Sequence, residues 1–165
     1  NDVSPPLLRQ IQGILNEIRQ HILFSRNRNV YLTSSRLLID LSTRKLYFPD
    51  YAQGEAKLNP KELALYLLFL EQTNGIALNQ VIDFKADLLE KYKQISGQIK
   101  PEKMQATIDL LCDYRENELN ITLSRIRKKI KDVIGKEFAK KYTIDLLTNN
   151  QHGILIDREF VEISA

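Results

Sequence analysis

The sequence predicts an α+β fold, in which a short β-hairpin is followed by a helical core and then by a second hairpin near the C-terminus. Three observations support this fold class. Two β-favouring runs bracket a turn at residues 37–48, apolar residues recur at helical spacing over residues 59–135, and two more β-favouring runs bracket an Asn-rich turn after residue 141. At 165 residues, with 43% hydrophobic and 27% charged side chains, the chain has the composition of an ordinary folded domain.

The first 29 residues are expected to form an amphipathic helix and a polar turn, separate from a domain of residues 30–165. Ser4 is a suitable N-cap, and the first helical turn tolerates the prolines that follow it. One face is then apolar: Leu7, Ile11, Ile14, Leu15, Ile18 and Ile22. This face could cap the domain or pair with a second copy of the chain, so we expect that a homodimer could form through the N-terminal helix.

The first hairpin follows a change in the period of the apolar residues. Residues 30–33, 37–41 and 45–48 are short β-favouring runs, and the Ser-Thr-Arg sequence at 42–44 is typical of a hairpin turn. Residues 49–54 break the pattern.

The first core helix has clear start and stop signals. Asn59 can accept a hydrogen bond from an otherwise unpaired backbone N–H, Pro60 suits the first helical position, and Glu62 complements the helix dipole. The Leu-rich run KELALYLLFLEQ predicts a largely buried helix, and Asn74 and Gly75 end it.

Two more helices are predicted before the basic segment of the chain. One starts near Asn79 and ends at Gly97, with Val81 and Ile82 among its inward-facing residues. The other opens at Pro101 and forms a helical insertion near residues 99–116.

The fourth helix combines an apolar stripe with a basic face. Leu119, Leu123, Ile126, Ile130 and Val133 are spaced by four and three residues and therefore share one side of the helix, which Gly135 should end. Residues 120–141 hold eight Lys or Arg against two Asp or Glu, a net charge of +6, whereas the whole chain carries only +3. A local basic surplus on a nearly neutral body favours a polyanionic partner.

The C-terminal segment returns to β-favouring sequence. Residues 142–147 and 152–156 flank the sequence TNNQ and predict a hairpin, and residues 160–163 could form a last short strand.

No enzyme, cofactor or metal-site pattern is present in the sequence. The six glycines form no phosphate-binding loop, and two histidines with a single cysteine, Cys112, make a poor zinc site. Asp83, Asp87 and Glu90 share helical spacing and could ligate a metal, but a solvated acidic face is the favoured interpretation. We therefore expect no catalysis, no cofactor and no metal.

The chain lacks a run of about 18 apolar residues and a signal peptide, so neither membrane insertion nor export is expected, and the lone Cys112 favours the cytoplasm.

The order of elements resembles the winged helix-turn-helix of response-regulator effector domains. Four stretches within residues 37–163 carry the resemblance: LLIDLSTRKLYF, LNPKELALYLLFLEQTNGIAL, NITLSRIRKKI and YTIDLLTNNQHGILI. Two features depart from that family, namely the additional helix near residues 101–113 and a C-terminal hairpin without the family's glycine-aromatic ending. Much of the chain is also similar to small uncharacterised Bacteroidetes proteins, which imply no activity.

The resemblance implies that NITLSRIRKKI is a DNA recognition helix and that the last hairpin is the wing. It places Asn120, Thr122, Ser124, Arg125 and Lys128 toward DNA, and Asn149, Asn150 and His152 at the wing tip. The helical pattern adds Arg127 and Lys131 to this exposed side, where they could hold phosphates. The expected function is non-catalytic binding of double-stranded DNA in transcription control. The alternative is a protein-interaction or dimerisation module of the same winged-helix fold without nucleic-acid binding, which the apolar Ile121 on the basic face favours.

Overall fold

The computed structural model describes residues 7, 9–15, 18, 36–51, 54–97, 99–148 and 150–165. The chain divides into two compact units, Asn1–Ser35 and Arg36–Ala165. In the first unit the described residues are helical, and their large apolar side chains are exposed: Leu7, Ile11, Ile14, Leu15 and Ile18. The expected N-cap Ser4, the apolar residue Ile22 and the strand at residues 30–33 lie outside the described residues.

The second unit has an α+β fold, as predicted. Its strands are β1 (Leu37–Asp40), β2 (Lys45–Tyr47), β3 (Glu55–Lys57), β4 (Asp145–Leu146), β5 (His152–Gly153) and β6 (Val161–Ser164). Its α-helices are α1 (Pro60–Glu71), α2 (Lys85–Ser96), α3 (Pro101–Cys112) and α4 (Glu118–Ala139). Two short 3-10 helices occupy Leu78–Phe84 and Arg158–Phe160.

The larger sheet has the strand order β3-β2-β1-β6. The predicted hairpin is confirmed, since β1 pairs antiparallel with β2 and Leu38 lies opposite Tyr47. β3, which pairs antiparallel with β2, was not predicted. β6 forms the last strand at nearly the expected residues and runs parallel to β1.

Asp40 organises the turn between β1 and β2. Its Oδ1 accepts hydrogen bonds from the backbone N–H and the hydroxyl of Ser42, over 2.9 and 2.7 Å, and from the N–H of Thr43 over 3.2 Å. These bonds stabilise the carboxylate and lower the pKa of Asp40 to about 2. The turn closes through Arg44, which has a positive φ of 56°.

The start of α1 confirms its predicted cap. The side chain of Asn59 accepts from the backbone N–H of Glu62 over 2.8 Å, and the Glu62 carboxylate accepts from the N–H of Asn59 over 2.9 Å. This reciprocal arrangement is a capping box. Every residue from Glu62 to Leu70 is buried, as the Leu-rich sequence predicts.

The helix predicted from Asn79 is wrong in its first part. Leu78–Phe84 forms a 3-10 helix, and the α-helix begins only at Lys85. With about three residues per turn, positions 78, 81 and 84 align on one side. Leu78, Val81 and Phe84 accordingly pack on the core, whereas Ile82, which was expected to face inward, is 52% exposed.

The apolar stripe of α4 is largely as predicted. Leu119, Leu123, Ile126 and Ile130 are buried, and Ile134 continues the stripe while Val133 is half-buried. Gly135 leaves the helical conformation with φ 82° and ψ 160°, and the chain then makes one more short helical turn to Ala139.

The C-terminal hairpin forms with shorter strands than the sequence suggested. β4 pairs antiparallel with β5, with Leu146 opposite His152. Ile76 adds an antiparallel bridge on the other side of β5, through backbone hydrogen bonds of 2.8 and 2.9 Å with His152. The loop before the 3-10 helix at Leu78 and the C-terminal hairpin are therefore held side by side.

Candidate nucleic-acid interface

Two ion pairs hold the basic helix α4 against the start of α1. The ammonium of Lys61 binds the carboxylate of Glu118, and the ammonium of Lys129 binds the buried carboxylate of Glu62. The hydrogen bond from Lys61 also lowers the pKa of Glu118. These two ion pairs, together with the buried apolar stripe, fix the orientation of α4.

Thr122 does not take the position that the family resemblance implied. It is fully buried, and its hydroxyl donates to the backbone oxygen of Glu118 over 2.8 Å. The helical period explains this placement, because Thr122 follows Leu119 and precedes Ile126 on the buried side.

The outer face of α4 forms a ridge, which we define as Ile121, Ser124, Arg125 and Lys128. All four are exposed. Lys128 donates to Asp132 over 2.8 Å, but both side chains remain mostly in solvent. Within the described part of the chain, Arg125 forms no ion pair, so its guanidinium is available to a partner.

Arg127 lies on the flank of α4 that faces the hairpin. Its Nε donates to Oδ1 of Asp145 over 2.9 Å, and its Nη2 donates to the backbone oxygen of Ile144 over 3.0 Å. The hydroxyl of Thr143 also donates to the Asp145 carboxylate. The sequence placed Arg127 at a phosphate, whereas in the structure at least two of its donors bind within the protein.

Three predicted residues come together in a groove between the start of α4 and the hairpin, which we call the amide groove. Asn120, Asn150 and His152 line it together with Asn79 and Tyr114, and its volume is about 450 Å³. Asn149, the remaining predicted residue of the hairpin tip, lies outside the described residues. The groove offers carboxamides and an exposed phenol, groups that suit the edges and faces of nucleobases.

His152 is half-buried in this groove and favours the neutral imidazole. Burial, and secondarily the charge of Arg127, lower the pKa of His152. Its Nδ1 is buried and has no hydrogen-bond partner among the described atoms.

A second cleft lies at the other end of the same flank, and we call it the lysine cleft. Lys131, Lys136 and Lys140 line it, together with apolar residues of the hairpin region, and its volume is about 320 Å³. Of the three lysines only Lys131 was singled out from the sequence. The charge surplus contains the other two, but a helical projection cannot place residues beyond the break at Gly135.

Comparison with known proteins adds no assignment to this geometry: the chain matches no family model, no curated protein and no solved structure. In the ranges that the structure covers, no three His, Cys, Asp or Glu side chains are grouped so that they could hold a metal ion, and Asp83, Asp87 and Glu90 are all exposed. None of the helices described is long and apolar enough to span a bilayer.

Proposed function

We propose that this chain is a non-catalytic, winged-helix DNA-binding domain that acts in transcription control in the cytoplasm. α4 is the recognition helix, and the β4–β5 hairpin is the wing. Ser124 and Arg125 of the ridge contact base edges together with Asn120, and Lys128 and Lys131 contact phosphates.

The observation that carries this proposal is the rigid presentation of the ridge. α4 is anchored by its buried stripe and by the pairs Lys61–Glu118 and Lys129–Glu62, so its exposed face is set without help from a partner. Arg125 and Lys128 project from that face beside the polar Ser124. An α-helix of this kind fits the width of a major groove.

The wing assignment is supported by the position of the hairpin. Arg127 ties β4 to the flank of α4, and the bridge to Ile76 holds β5 from the other side. The tip residue Asn150 is exposed and lies in the same groove as Asn120. A duplex on the ridge would therefore meet the hairpin tip along its backbone.

The experiment is a salt titration of duplex binding. Fluorescence anisotropy with a labelled short duplex of mixed sequence should show affinity that falls linearly on a double-logarithmic plot between about 50 and 200 mM salt. The double variant Arg125→Gln/Lys128→Gln should lower the slope by about 1, because one phosphate contact, that of Lys128, is lost and each such contact contributes about 0.9. Loss of the base contact of Arg125 should in addition lower the preference of the protein among duplex sequences.

Two matched variants make this test specific. Lys103→Gln removes an exposed charge on α3 and should leave duplex binding unchanged. Asp132→Asn removes the carboxylate that binds Lys128 and should strengthen binding. Absence of duplex binding at the lowest salt, or equal binding by the double variant, would contradict the proposal.

The second candidate function is a protein-interaction or dimerisation module of the same fold. Ile121 favours it, because this apolar side chain is 38% exposed at the N-terminal end of the ridge. The exposed apolar face of the N-terminal helix is a further surface for self-association. Sedimentation of the full chain, with Ile14→Asp and Ile121→Ser as variants, separates this function from DNA binding: a dimer lost in either variant, without duplex binding by the wild type, would favour it.

A further inference from the structure

We propose that the lysine cleft binds the phosphate ester of a nucleotide, foremost a backbone phosphate of the DNA strand that follows α4, with the attached sugar against the leucines of the hairpin. If the bound phosphate belongs to DNA, this inference rests on the function proposed above and adds a second region of contact with the duplex. The cleft lies beyond the ridge, at the opposite end of α4 from Asn120.

The charge of the cleft is the first argument. Lys131, Lys136 and Lys140 line the cleft, and none of them forms an ion pair with a carboxylate in the ranges that the structure describes. Asp145, which also lines the cleft, is bound by Arg127 and by the hydroxyl of Thr143. Three ammonium groups around one cleft are therefore left to attract an anion.

The conformation of Gly135 is the second argument. On an uninterrupted helix Lys136 would lie about 140° from Lys131 and Lys140 about 180° from it, since each residue turns the helix by about 100°. The break at Gly135, with φ 82° and ψ 160°, redirects the chain, and all three lysines line the same cleft. A Cβ at Gly135 would meet no atom within 4 Å, so the position is glycine for its conformation and not for lack of space.

The apolar side of the cleft is the third argument. Leu146 and Leu155 are 61% and 64% exposed, beside the lysines. A ligand that combines a phosphate with a less polar part would cover these leucines while its anion meets the ammonium groups. A nucleotide has both parts.

The position of the lysine cleft beside the amide groove favours a nucleic-acid strand over a lipid headgroup as the ligand. Leu146 lines both the lysine cleft and the amide groove, so the two sites adjoin along the hairpin. Asn120 and Lys131 are separated by about 16 Å along α4 at 1.5 Å per residue, so one nucleic-acid strand could contact both sites. The carboxamides of the amide groove suit nucleobases and have no comparable partner on a lipid surface.

The test uses the full chain and the double variant Lys136→Gln/Lys140→Gln, which removes two exposed charges and no described ion pair. Its control is Lys93→Gln/Lys103→Gln, which removes two exposed charges from α2 and α3. Duplex binding is measured by anisotropy across the salt range, and binding of adenosine monophosphate by backbone amide NMR shifts at Lys131, Lys136 and Thr143. Vesicles containing phosphatidylglycerol are the third probe.

The expected result is a salt slope that falls by about 1 in the cleft variant, because the cleft holds one phosphate and each phosphate contact that is lost removes about 0.9, and that does not change in the control. Adenosine monophosphate should shift the cleft amides in the wild type and not in the cleft variant. If the cleft variant binds duplex as tightly as the wild type, and adenosine monophosphate does not shift the cleft amides, the proposed phosphate site in the lysine cleft is wrong. That result would leave the proposal for the ridge unaffected.

The remaining outcomes separate the two proposals and the two nucleotide sources. Cleft-dependent shifts with adenosine monophosphate, without duplex binding by the wild type, overturn the DNA function and support a free nucleotide as ligand. Cleft-dependent binding to the anionic vesicles, without any nucleic-acid or nucleotide response, overturns this inference in favour of a membrane lipid.

Discussion

The guanidinium of Arg127 joins the basic helix to the hairpin, because its Nε donates to Oδ1 of Asp145 over 2.9 Å. A second bond, from Nη2 to the backbone oxygen of Ile144 over 3.0 Å, fixes the plane of the guanidinium. The sequence makes Arg127 look like one more cation on a basic face. In the structure it positions the residues on either side of it, namely those of the amide groove and of the lysine cleft.

We predict that Arg127→Met destabilises the protein and loosens the hairpin. Two hydrogen bonds from a charged donor are lost, and among the described side chains only Thr143 still donates to the Asp145 carboxylate, so the free energy of unfolding should fall by about 2 kcal/mol. Urea denaturation measures this fall, and amide hydrogen exchange in β4 and β5 should become faster. Arg125→Met, on the exposed ridge of the same helix, should change stability by no more than about 0.5 kcal/mol. Equal stability of the two variants would show that Arg127 does not hold the hairpin.

The ion pair between Lys129 and Glu62 yields a second prediction. Glu62 is 1% exposed, so Lys129→Met would leave its carboxylate buried with the backbone N–H of Asn59 as its one donor among the described residues. Removing one partner of a buried pair costs about 3–5 kcal/mol, and because Lys129 is itself partly exposed we expect about 2–3 kcal/mol. The midpoint of urea unfolding provides the measurement.

A double-mutant cycle tests the cause of that loss. Glu62→Gln keeps an oxygen for the N–H of Asn59 and removes the charge, so the variant Lys129→Met/Glu62→Gln should regain part of the stability lost in Lys129→Met. If the two effects simply add, the loss reflects the packing of the Lys129 stem and not an unpaired carboxylate.

Two glycines with the same backbone angle should differ in their response to alanine. Gly75 and Gly135 both have φ of 82°. A Cβ at Gly75 would lie 2.7 Å from the backbone oxygen of His152, whereas one at Gly135 would meet nothing within 4 Å. Gly135→Ala should therefore cost only the strain of a backbone conformation that essentially only glycine adopts, about 1–3 kcal/mol, and Gly75→Ala should cost more because it also pushes β5 away from the bridge at Ile76. Comparison of the two by urea denaturation checks this order, and equal losses would contradict it.

Short-range patterns in the sequence were sufficient to predict the capping box of α1 and the buried side of α4. The capping box at Asn59 and Glu62 involves residues three apart, and the stripe of α4 repeats every turn, so both could be read without knowledge of the fold. The 3-10 helix at Leu78–Phe84 was missed because its apolar residues at every third position also fit an α-helix over so short a run.

Non-local features could not be predicted in the same way. β6 pairs parallel with β1 although more than 100 residues separate Leu37 from Val161, and no local pattern specifies such a partner. β3 begins beside Gly54, where an added Cβ would lie 2.3 Å from a side-chain carbon of Val133. Gly54 looked like a pattern breaker in the sequence, but its lack of a side chain permits close packing on α4.

The candidate interface was predictable in its composition and not in its arrangement. The exposure of Ser124, Arg125 and Lys128 follows from the helical period. The internal role of Arg127 and the joining of Lys136 and Lys140 to Lys131 depend on where the hairpin packs and on how Gly135 bends the chain. These positions are set by tertiary contacts, and the spacing of residues in the sequence does not reveal such contacts.

The half-buried imidazole of His152 predicts that stability falls in mild acid. Burial lowers the pKa of His152 below its ordinary value of 6.5, so the unfolded chain binds this proton more readily than the folded protein does. Stability from this group is therefore fully present above pH 6.5 and is lost as the pH falls from there through the folded-state pKa. The urea midpoint, followed from pH about 8 to about 5, should decline over this window in the wild type and less steeply in His152→Gln. The difference between the two profiles reports on His152, and parallel profiles would show that its imidazole is equally free to protonate in the folded state.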